Sequence, residues 1–180
     1  MKLMIASDLH GSAWYIDLLL RRWAEEGADR LVLLGDLLYH GPRNDLPRDY
    51  DTRASAALLN AVTPPPLCIR GNCDGEVDQM VLSFPILAEF AVLFAGGHTL
   101  YLTHGHRREE ATAALQSGDI LLYGHTHVPD FTDRGGVLCV NPGSVSIPKD
   151  GSRPSYLLFE DGLFRWKDVE TGETWRQERI

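Results

Sequence analysis

The strongest constraint on the fold is a set of short apolar runs that each end in a polar cluster. Residues 31–34 are apolar at every position, as expected of a parallel strand with both faces covered. Gly35 ends this run, and Asp36 follows it. Because open α/β sheets bind ligands at the carboxyl ends of their strands, we expect Asp36 to lie at such an edge. Taken alone, a Gly-Asp pair after a strand indicates only a turn.

Other apolar runs end in polar clusters of the same kind. The side chains that follow them are Asp8, His10, Asn72, His104, His125 and His127. We expect the sheet to gather these side chains with Asp36 at one edge. Carboxylate, imidazole and amide ligands suit borderline divalent ions such as manganese, iron or zinc. The pattern therefore predicts a metal site built from strand ends.

Two longer helices and one short helix are expected between the strands. The first begins after Ser12 as N-cap and ends at Gly27, with an apolar face along its length. The second covers residues 53–62 and is ended by three prolines, and a short third helix covers residues 107–116. Residues 77–87 are ambiguous, and we assign them no structure.

Glycine-containing turns indicate antiparallel hairpins in the second half of the chain. Gly96 and Gly97 separate two apolar runs, which predicts a hairpin over residues 89–103. Gly135 and Gly136 turn the chain into a further strand at residues 137–140. In the last third, hairpins are expected around Asp161-Gly162 and Thr171-Gly172.

Length and composition bound the class of protein. A chain of 180 residues with 44% hydrophobic content is most simply one domain, residues 1–180. We found no apolar run of membrane-spanning length and no secretory signal, so we expect a cytoplasmic protein without a membrane partner. Three cysteines without paired spacing are expected to be reduced thiols, and Cys68 and Cys139 lie in core-like runs. The net charge of −8 argues against binding extended nucleic acid.

In chain order, the polar clusters spell five short motifs. They are D-L-H at Asp8, G-D at Gly35, G-N-C-D at Gly71, T-H-G-H at Thr103 and G-H-T-H at Gly124. Together they resemble the calcineurin-like metallophosphoesterases. Longer stretches, H-G-P-R-N at His40, G-E-V-D-Q at Gly75 and N-P-G-S-V-S-I-P-K at Asn141, are similar to the YfcE-type bacterial phosphodiesterases of that family.

The resemblance implies an α/β fold, an αββα two-sheet sandwich of mixed sheets with C-terminal antiparallel hairpins. It also implies two divalent ions, manganese first, with iron, zinc, cobalt or nickel as alternatives. The ligands implied for one ion are Asp8, His10, Asp36 and His127. Those implied for the other are Asp36, Asn72, His104 and His125, so that Asp36 bridges. Two ions about 3.5–4 Å apart can activate a hydroxide and hold phosphoryl oxygens for in-line attack.

One position departs from the wider family. Many members have a histidine where this chain has Cys73, and that histidine stabilises the transition state or protonates the leaving oxygen. The YfcE-type pattern shares the cysteine, so the departure is compatible with activity. His106 or His40 is an alternative proton donor, and each is equally well explained as a structural residue. The predicted catalytic residues are therefore Asp36, Asn72, Cys73 and His106.

Arg43 and Asn44 lie in the loop after Asp36 and are predicted to contact a phosphate oxygen or the leaving group. A solvated surface turn is the alternative for both residues. The predicted function is a dimetal phosphodiesterase of small phosphoesters. The alternatives are a phosphomonoesterase and a non-catalytic binding scaffold, as in the retromer subunit of similar fold. A homo-oligomer, dimer or larger, is expected from the apolar C-terminal hairpins and from the family resemblance.

Overall fold

The described residues of a computed structural model, 1–113 and 115–180, form eleven strands and four helices. The strands are β1 (Leu3–Ala6), β2 (Arg30–Leu33), β3 (Leu67–Cys68), β4 (Phe90–Ala95), β5 (His98–Thr103), β6 (Ile120–Leu122), β7 (Asp130–Arg134), β8 (Val137–Asn141), β9 (Ser155–Glu160), β10 (Leu163–Asp168) and β11 (Thr174–Arg179). The helices are α1 (Ala13–Glu26), α2 (Thr52–Asn60), α3 (Glu76–Gln79) and α4 (Arg108–Thr112).

The strands form two mixed sheets. One has six strands in the order β11-β10-β9-β1-β2-β3, and the other has five in the order β4-β5-β6-β8-β7. In the first sheet β1, β2 and β3 are parallel, and β9 joins them as the start of an antiparallel C-terminal meander. In the second sheet β5, β6 and β8 are parallel and are flanked by antiparallel β4 and β7. The predicted mixed sheets with C-terminal hairpins are confirmed.

Alternate side chains of β1 and β2 enter two different cores. Ile5 and Val32 pack between the two sheets, where they meet Leu122 of β6. Met4 and Leu33 point the other way and pack with α1 and α2. A smaller cluster on the outer face of the second sheet includes Ala111 of α4. The layers are therefore helix, sheet, sheet, helix, and the fully apolar runs arise because β1 and β2 are covered on both faces.

Helix α1 begins and ends where the sequence predicts. The Ser12 hydroxyl accepts a hydrogen bond from the Tyr15 N–H at 3.3 Å. Gly27 ends the helix in the left-handed conformation, with φ 57°, and its N–H donates to the Trp23 carbonyl. Because the helix starts directly after His10 and Gly11, its first turn lies beside the end of β1.

Three other elements differ from the predictions. Helix α2 ends at Asn60, because the Ala61 and Val62 N–H groups donate to carbonyls three residues earlier rather than four. The helix expected over residues 107–116 is shorter in the structure, where α4 covers Arg108–Thr112. Ala114, which the prediction included, lies outside the described residues. Strand β7 was not predicted, because Asp130–Arg134 is an edge strand with one apolar side chain, Phe131. Helix α3 and the loop after it cover residues 77–87, for which the sequence predicts no structure.

Two cysteines and two aromatic residues of the C-terminal hairpins lie in the cores. Cys68 and Cys139 are buried free thiols, as predicted. Phe164 and Trp166 of β10 are fully buried between the sheets. No helix within the described residues is long and apolar enough to cross a membrane.

Candidate metal centre

The loops that follow the parallel strands meet at one edge of the sandwich, pinned by main-chain hydrogen bonds. The N–H groups of Leu9 and His10 both donate to the Asp36 carbonyl at 2.9 Å, which ties the end of β1 to the end of β2. The His125 N–H donates to Asp8 Oδ2 at 3.0 Å, and this bond ties the second sheet to the first. His104 makes a second link between the sheets, because its Nδ1 lies 2.6 Å from the Leu34 carbonyl.

Five of the predicted ligands adopt a left-handed backbone conformation. Their φ angles are 57° for Asp8, 47° for His10, 56° for Asp36, 68° for His125 and 62° for His127. This region is uncommon for residues other than glycine. Each such residue costs on the order of 1–3 kcal/mol, and strained residues of this kind cluster at functional sites. The concentration of strain at the predicted ligands therefore supports a functional role for the edge.

Two glycines of the motifs allow the loops to approach closely. A Cβ atom added at Gly71 would collide with the carboxylate and the N–H of Asp36. One added at Gly124 would collide with the Ser7 side chain. The glycines of G-N-C-D and G-H-T-H are therefore needed because neighbouring loops leave no room for a side chain.

Three histidines are held in one orientation by main-chain carbonyls. The Nδ1 atoms of His10, His104 and His127 lie 2.8, 2.6 and 2.6 Å from the carbonyl oxygens of Tyr39, Leu34 and Ile147. Because a carbonyl only accepts, each Nδ1 must carry the proton. In a neutral ring, Nε2 then presents a lone pair to the site. This is the arrangement that ligand histidines require of their second nitrogen.

The lone pairs of His10 and His127 face each other. Their Nε2 atoms are 3.2 Å apart, and burial lowers the pKa of His10, so its ring is neutral. In the described part of the chain, the buried Asp8 Oδ1 accepts no hydrogen bond, although His127 Nε2 approaches it to 3.3 Å. When both rings are neutral, two acceptor nitrogens and a carboxylate oxygen at these distances repel one another, and a cation between them removes the repulsion. The donor set therefore fits a divalent metal ion.

The ligand atoms form three overlapping groups. Asp8, His10 and His127 offer atoms within 4.8 Å of one another; so do Asp8, Asp36 and His104, and so do His10, Asp36 and Cys73. Asp36 Oδ2 lies 3.8 Å from His10 Nε2 and 3.4 Å from His104 Nε2. Its other oxygen, Oδ1, accepts the Cys73 N–H at 2.8 Å. Asp36 Oδ2 thus stands between His10 and His104.

The two remaining predicted ligands lie at the margin of these groups. Asn72 Oδ1 is 3.1 Å from His104 Nε2. The ring of His125 lies 5.2 Å, centroid to centroid, from that of His104. His125 is outside all three groups of close ligand atoms among the described residues. The structure therefore gathers all seven predicted residues at one edge, with His125 the least tightly placed.

Charges in the site shift the pKa values of Asp36 and His104 strongly. Burial alone raises the pKa of Asp36, but the hydrogen bond and charge of His104, with the Cys73 N–H, lower it well below the ordinary value. Burial lowers the pKa of His104, but the hydrogen bond to Asp36 and the charges of Asp8 and Asp36 outweigh it and raise the pKa to about 9. A proton on His104 therefore serves as a cation between the carboxylates when no metal ion is bound.

A cleft of about 420 Å³ opens over the centre. Its lining consists of Asp36, Gly41, Pro42, Arg43, Asn44, Asn72, Cys73, His125, Thr126, His127 and Lys149. The predicted substrate-binding residues and Cys73 therefore face the same space as the ligands. His106 is exposed and lines an adjoining depression, with Arg107 and Glu110, that shares His125 and Thr126 with the cleft; its ring lies 5.6 Å, centroid to centroid, from that of His104. Burial, and then the charge of Asp36, raise the pKa of the Cys73 thiol far above its ordinary value.

Two residues of the site were missed by the sequence analysis. The buried Asp74 carboxylate accepts the N–H groups of Asp36, Leu37 and Gly71 at 2.8, 2.9 and 2.7 Å. Asp74 thereby clamps the loop after β2 to the loop after β3. Lys149 lines the cleft as a second cation beside Arg43. Both residues belong to motifs that mark the resemblance, but neither follows an apolar run directly, so the strand-end pattern does not select them.

Residues 1–161 match the model of the calcineurin-like phosphoesterase superfamily domain. The chain belongs to this family. Phosphodiesterase YfcE of Escherichia coli strain K12 is 48% identical over 164 residues, which are 91% of this chain and 89% of the relative. The structure of that E. coli phosphoesterase matches with a TM-score of 0.94 and 44% identity over 100% of both chains. The resemblance, the fold class and the hydrolase class inferred from the motifs are confirmed.

A more distant structure has the same fold. Vps29 of Entamoeba histolytica, in complex with zinc, matches with a TM-score of 0.63 and 22% identity over 100% of this chain and 98% of Vps29. At this identity the likeness extends to the fold alone. Within this family the Asp and His cluster of the present chain is a site for divalent metal ions.

Adding a divalent metal ion is expected to stabilise protein that has first been stripped of metal with a chelator. A divalent ion at a free concentration 100 times its dissociation constant adds about 2.7 kcal/mol, which corresponds to a rise in Tm of about 5–10 °C for a chain of this size. His10→Ala removes one of two facing nitrogens and should abolish most of this rise. Calorimetry with and without Mn²⁺ measures the effect. His98→Ala, outside the site, is the matched control, and an equal rise in both variants would contradict the assignment.

Proposed function

We propose that this protein is a metal-dependent phosphodiesterase of small substrates with a binuclear centre. One ion is held by Asp8, His10, Asp36 and His127, and the other by Asp36, Asn72, His104 and His125. The observation that supports two ions rather than one is the position of Asp36 Oδ2, which lies 3.8 Å from His10 Nε2 and 3.4 Å from His104 Nε2. Because Oδ1 is engaged by the Cys73 N–H, Oδ2 is the atom available to bridge.

The phosphodiester preference is supported by the similarity to the E. coli protein, which is named a phosphodiesterase and is matched over 89% of its length. Bound divalent ions polarise the phosphoryl group and lower the pKa of water. Four imidazoles and an amide among the ligands favour manganese or another first-row ion over magnesium, which prefers oxygen ligands.

The residues around the ligands have the remaining tasks of binding and orientation. Arg43 lies exposed in the cleft lining, where its planar guanidinium is suited to two phosphate oxygens at once. The Asn44 amide donates to the His40 carbonyl at 2.8 Å, so it also holds the loop that carries Arg43. Both residues are proposed to contact a non-transferred phosphate oxygen or the leaving group. The surface-turn alternative predicts that their removal leaves KM unchanged.

A phosphomonoesterase of the same fold and a non-catalytic binding scaffold are the alternatives. The scaffold alternative requires that the metal site be inert. The ligand positions named above are all filled by metal-competent side chains, which favours an enzyme. A comparison of mono- and diester hydrolysis decides between the two esterase activities.

We expect Asp36→Asn to lower kcat for bis(4-nitrophenyl) phosphate well beyond tenfold. An amide lacks the charge that two cations share, and its NH₂ group opposes the Cys73 N–H if it takes the place of Oδ1. The first measurement is hydrolysis of this diester and of 4-nitrophenyl phosphate by metal-stripped protein with added Mn²⁺ or Mg²⁺. The second is the number of metal ions bound per chain. Asp17→Asn, exposed on α1, is the control. Two retained ions with wild-type turnover would contradict the bridge.

The proton donor to the leaving group is proposed to be weak or absent. Cys73 lines the cleft, but a thiol is a poorer proton donor than an imidazolium, and His106 lies outside the cleft lining. Aryl diesters should therefore react well and alkyl diesters poorly.

Cys73→His should raise kcat/KM for alkyl diesters and leave aryl diesters nearly unchanged, because general acid catalysis contributes about 10²–10⁴-fold. The measurement is kcat/KM across leaving groups of rising pKa for the wild type, Cys73→His and His106→Ala. A flat dependence in the wild type that becomes steep only in His106→Ala would identify His106 as the acid instead.

A homo-oligomer, dimer or larger, is also proposed. The surface that supports it is strand β4 rather than the C-terminal hairpins. Phe164 and Trp166 of the C-terminal hairpins are buried within the chain's own core and are unavailable to a partner. Phe90, Val92 and Phe94 are exposed in a row on β4, an edge strand. A two-fold axis at such an edge pairs the strand with its own copy and covers the row.

Phe94→Lys should therefore shift the protein toward monomer, because a charge on the edge opposes pairing. Light scattering across the micromolar range measures the change. Val77→Lys is a matched control, since Val77 on α3 is 76% exposed and Phe94 is 77% exposed. A wild-type monomer throughout that range would contradict the proposal.

Three further expectations stay predictions. They are a single domain over residues 1–180, a cytoplasmic location, and no binding of extended nucleic acid.

A further inference from the structure

Two cations face the cleft without an acidic partner. Arg43 and Lys149 both belong to its lining. Neither makes an ion pair with any residue in the ranges 1–113 and 115–180, where ten other lysine and arginine side chains do. In a chain of net charge −8, unpaired cations at the mouth of a cleft focus a local positive potential.

The two cations come from different loops. The Lys149 N–H donates to the His127 carbonyl at 3.3 Å, so this residue sits next to a proposed ligand in the loop between β8 and β9. Arg43 lies in the loop after β2, where neighbouring Gly41 packs near the Cys73 sulfur. The loop that carries Lys149 is therefore anchored beside His127, and the loop that carries Arg43 passes beside Cys73.

The cleft has room for a whole small molecule. Its volume of about 420 Å³ lies within the range of sites that enclose small ligands, so it accommodates more than a phosphoryl group. Most of its lining side chains are polar or charged, so the part of the substrate beyond the phosphate is expected to be polar.

The charge balance points to a second anion. A phosphodiester carries one negative charge, which the divalent ions of the proposed centre meet. Arg43 is suited to the phosphate oxygens, because its fork binds two oxygens at once. The Lys149 ammonium is a compact point charge that remains without a partner.

We propose that Lys149 is a specificity-determining residue that binds a second anionic group, a carboxylate or a phosphate, on the non-leaving arm of the phosphodiester. This inference rests on the proposed phosphodiesterase function. It names the substrate class of the site as small polar phosphodiesters that carry an additional negative charge.

The kinetic test uses two esters that differ at one position, 4-nitrophenyl ethyl phosphate and 4-nitrophenyl 2-carboxyethyl phosphate. Both have the same leaving group. The wild type should prefer the carboxylated ester about fivefold in kcat/KM at low ionic strength, through KM, as expected of an exposed ion pair. The preference should shrink in 0.5 M salt because the pair is screened.

Variants assign the preference to one side chain. Lys149→Gln should remove the preference, so that the two esters react with equal kcat/KM, and Lys149→Arg should retain it. Arg21→Gln is the control for net charge, because Arg21 is exposed on α1 and does not line the cleft. This control should keep the full preference.

Binding provides a readout that is independent of turnover. Calorimetry compares 3-phosphonopropionate with propylphosphonate, which differ by a carboxylate in place of a methyl group. The metal-loaded wild type should bind the carboxylated phosphonate about fivefold more tightly than Lys149→Gln does, with equal affinity of both proteins for propylphosphonate.

The outcomes separate the two proposals. Equal kcat/KM for the two esters, or a preference that survives in Lys149→Gln, overturns the role of Lys149 and leaves the phosphodiesterase function intact. Failure to hydrolyse either ester with any divalent ion overturns the phosphodiesterase function. In that case the phosphonate affinities still decide whether Lys149 selects an anion.

Discussion

Two imidazole nitrogens, those of His10 and His127, face each other at 3.2 Å beside a buried carboxylate oxygen that accepts no hydrogen bond in the described residues. The carbonyls of Tyr39 and Ile147 hold the Nδ1 protons on the far side, so in neutral rings the near side presents only acceptors. Such a cluster is repulsive by itself and attractive toward a cation. The arrangement of the surrounding loops is best understood as the means of holding these acceptors together.

The restraint comes from the main chain rather than from the metal ligands themselves. Asp8, His10 and Asp36 adopt left-handed conformations that isolated residues rarely adopt. Hydrogen bonds from Leu9 and His10 to the Asp36 carbonyl, and from Asp36 to the Asp74 carboxylate, hold them there. The parallel pairing of β1 with β2 supplies the rigid base for these bonds. The strained backbone conformations persist because several hydrogen bonds and the strand pairing fix them at once.

The proposed metal ligands and the proposed specificity residues lie on different parts of the fold. The predicted ligands follow the ends of the parallel strands, and sites built on such elements are held more precisely than sites on loops. Arg43 and Lys149 stand on exposed loops at the mouth of the cleft. Loops tolerate substitution and strand ends do not, so members of one family can share a phosphoesterase centre and differ in the molecules they accept.

The sequence by itself determined the two covered strands, the caps of α1, the edge to which the seven predicted ligands belong, and the family. These features depend on local patterns: apolar runs that end in polar residues, a serine N-cap, and a glycine that adopts a left-handed turn. The tertiary structure alone decided that Asp36 presents a single oxygen to both His10 and His104, that Asp74 clamps two loops, and that Lys149 lines the cleft while His106 lines the adjoining depression. It also decided that Phe164 and Trp166 fill the core and that β7 forms an edge strand. Contacts between loops distant in sequence depend on strand order and register, and no local pattern encodes which loops will meet.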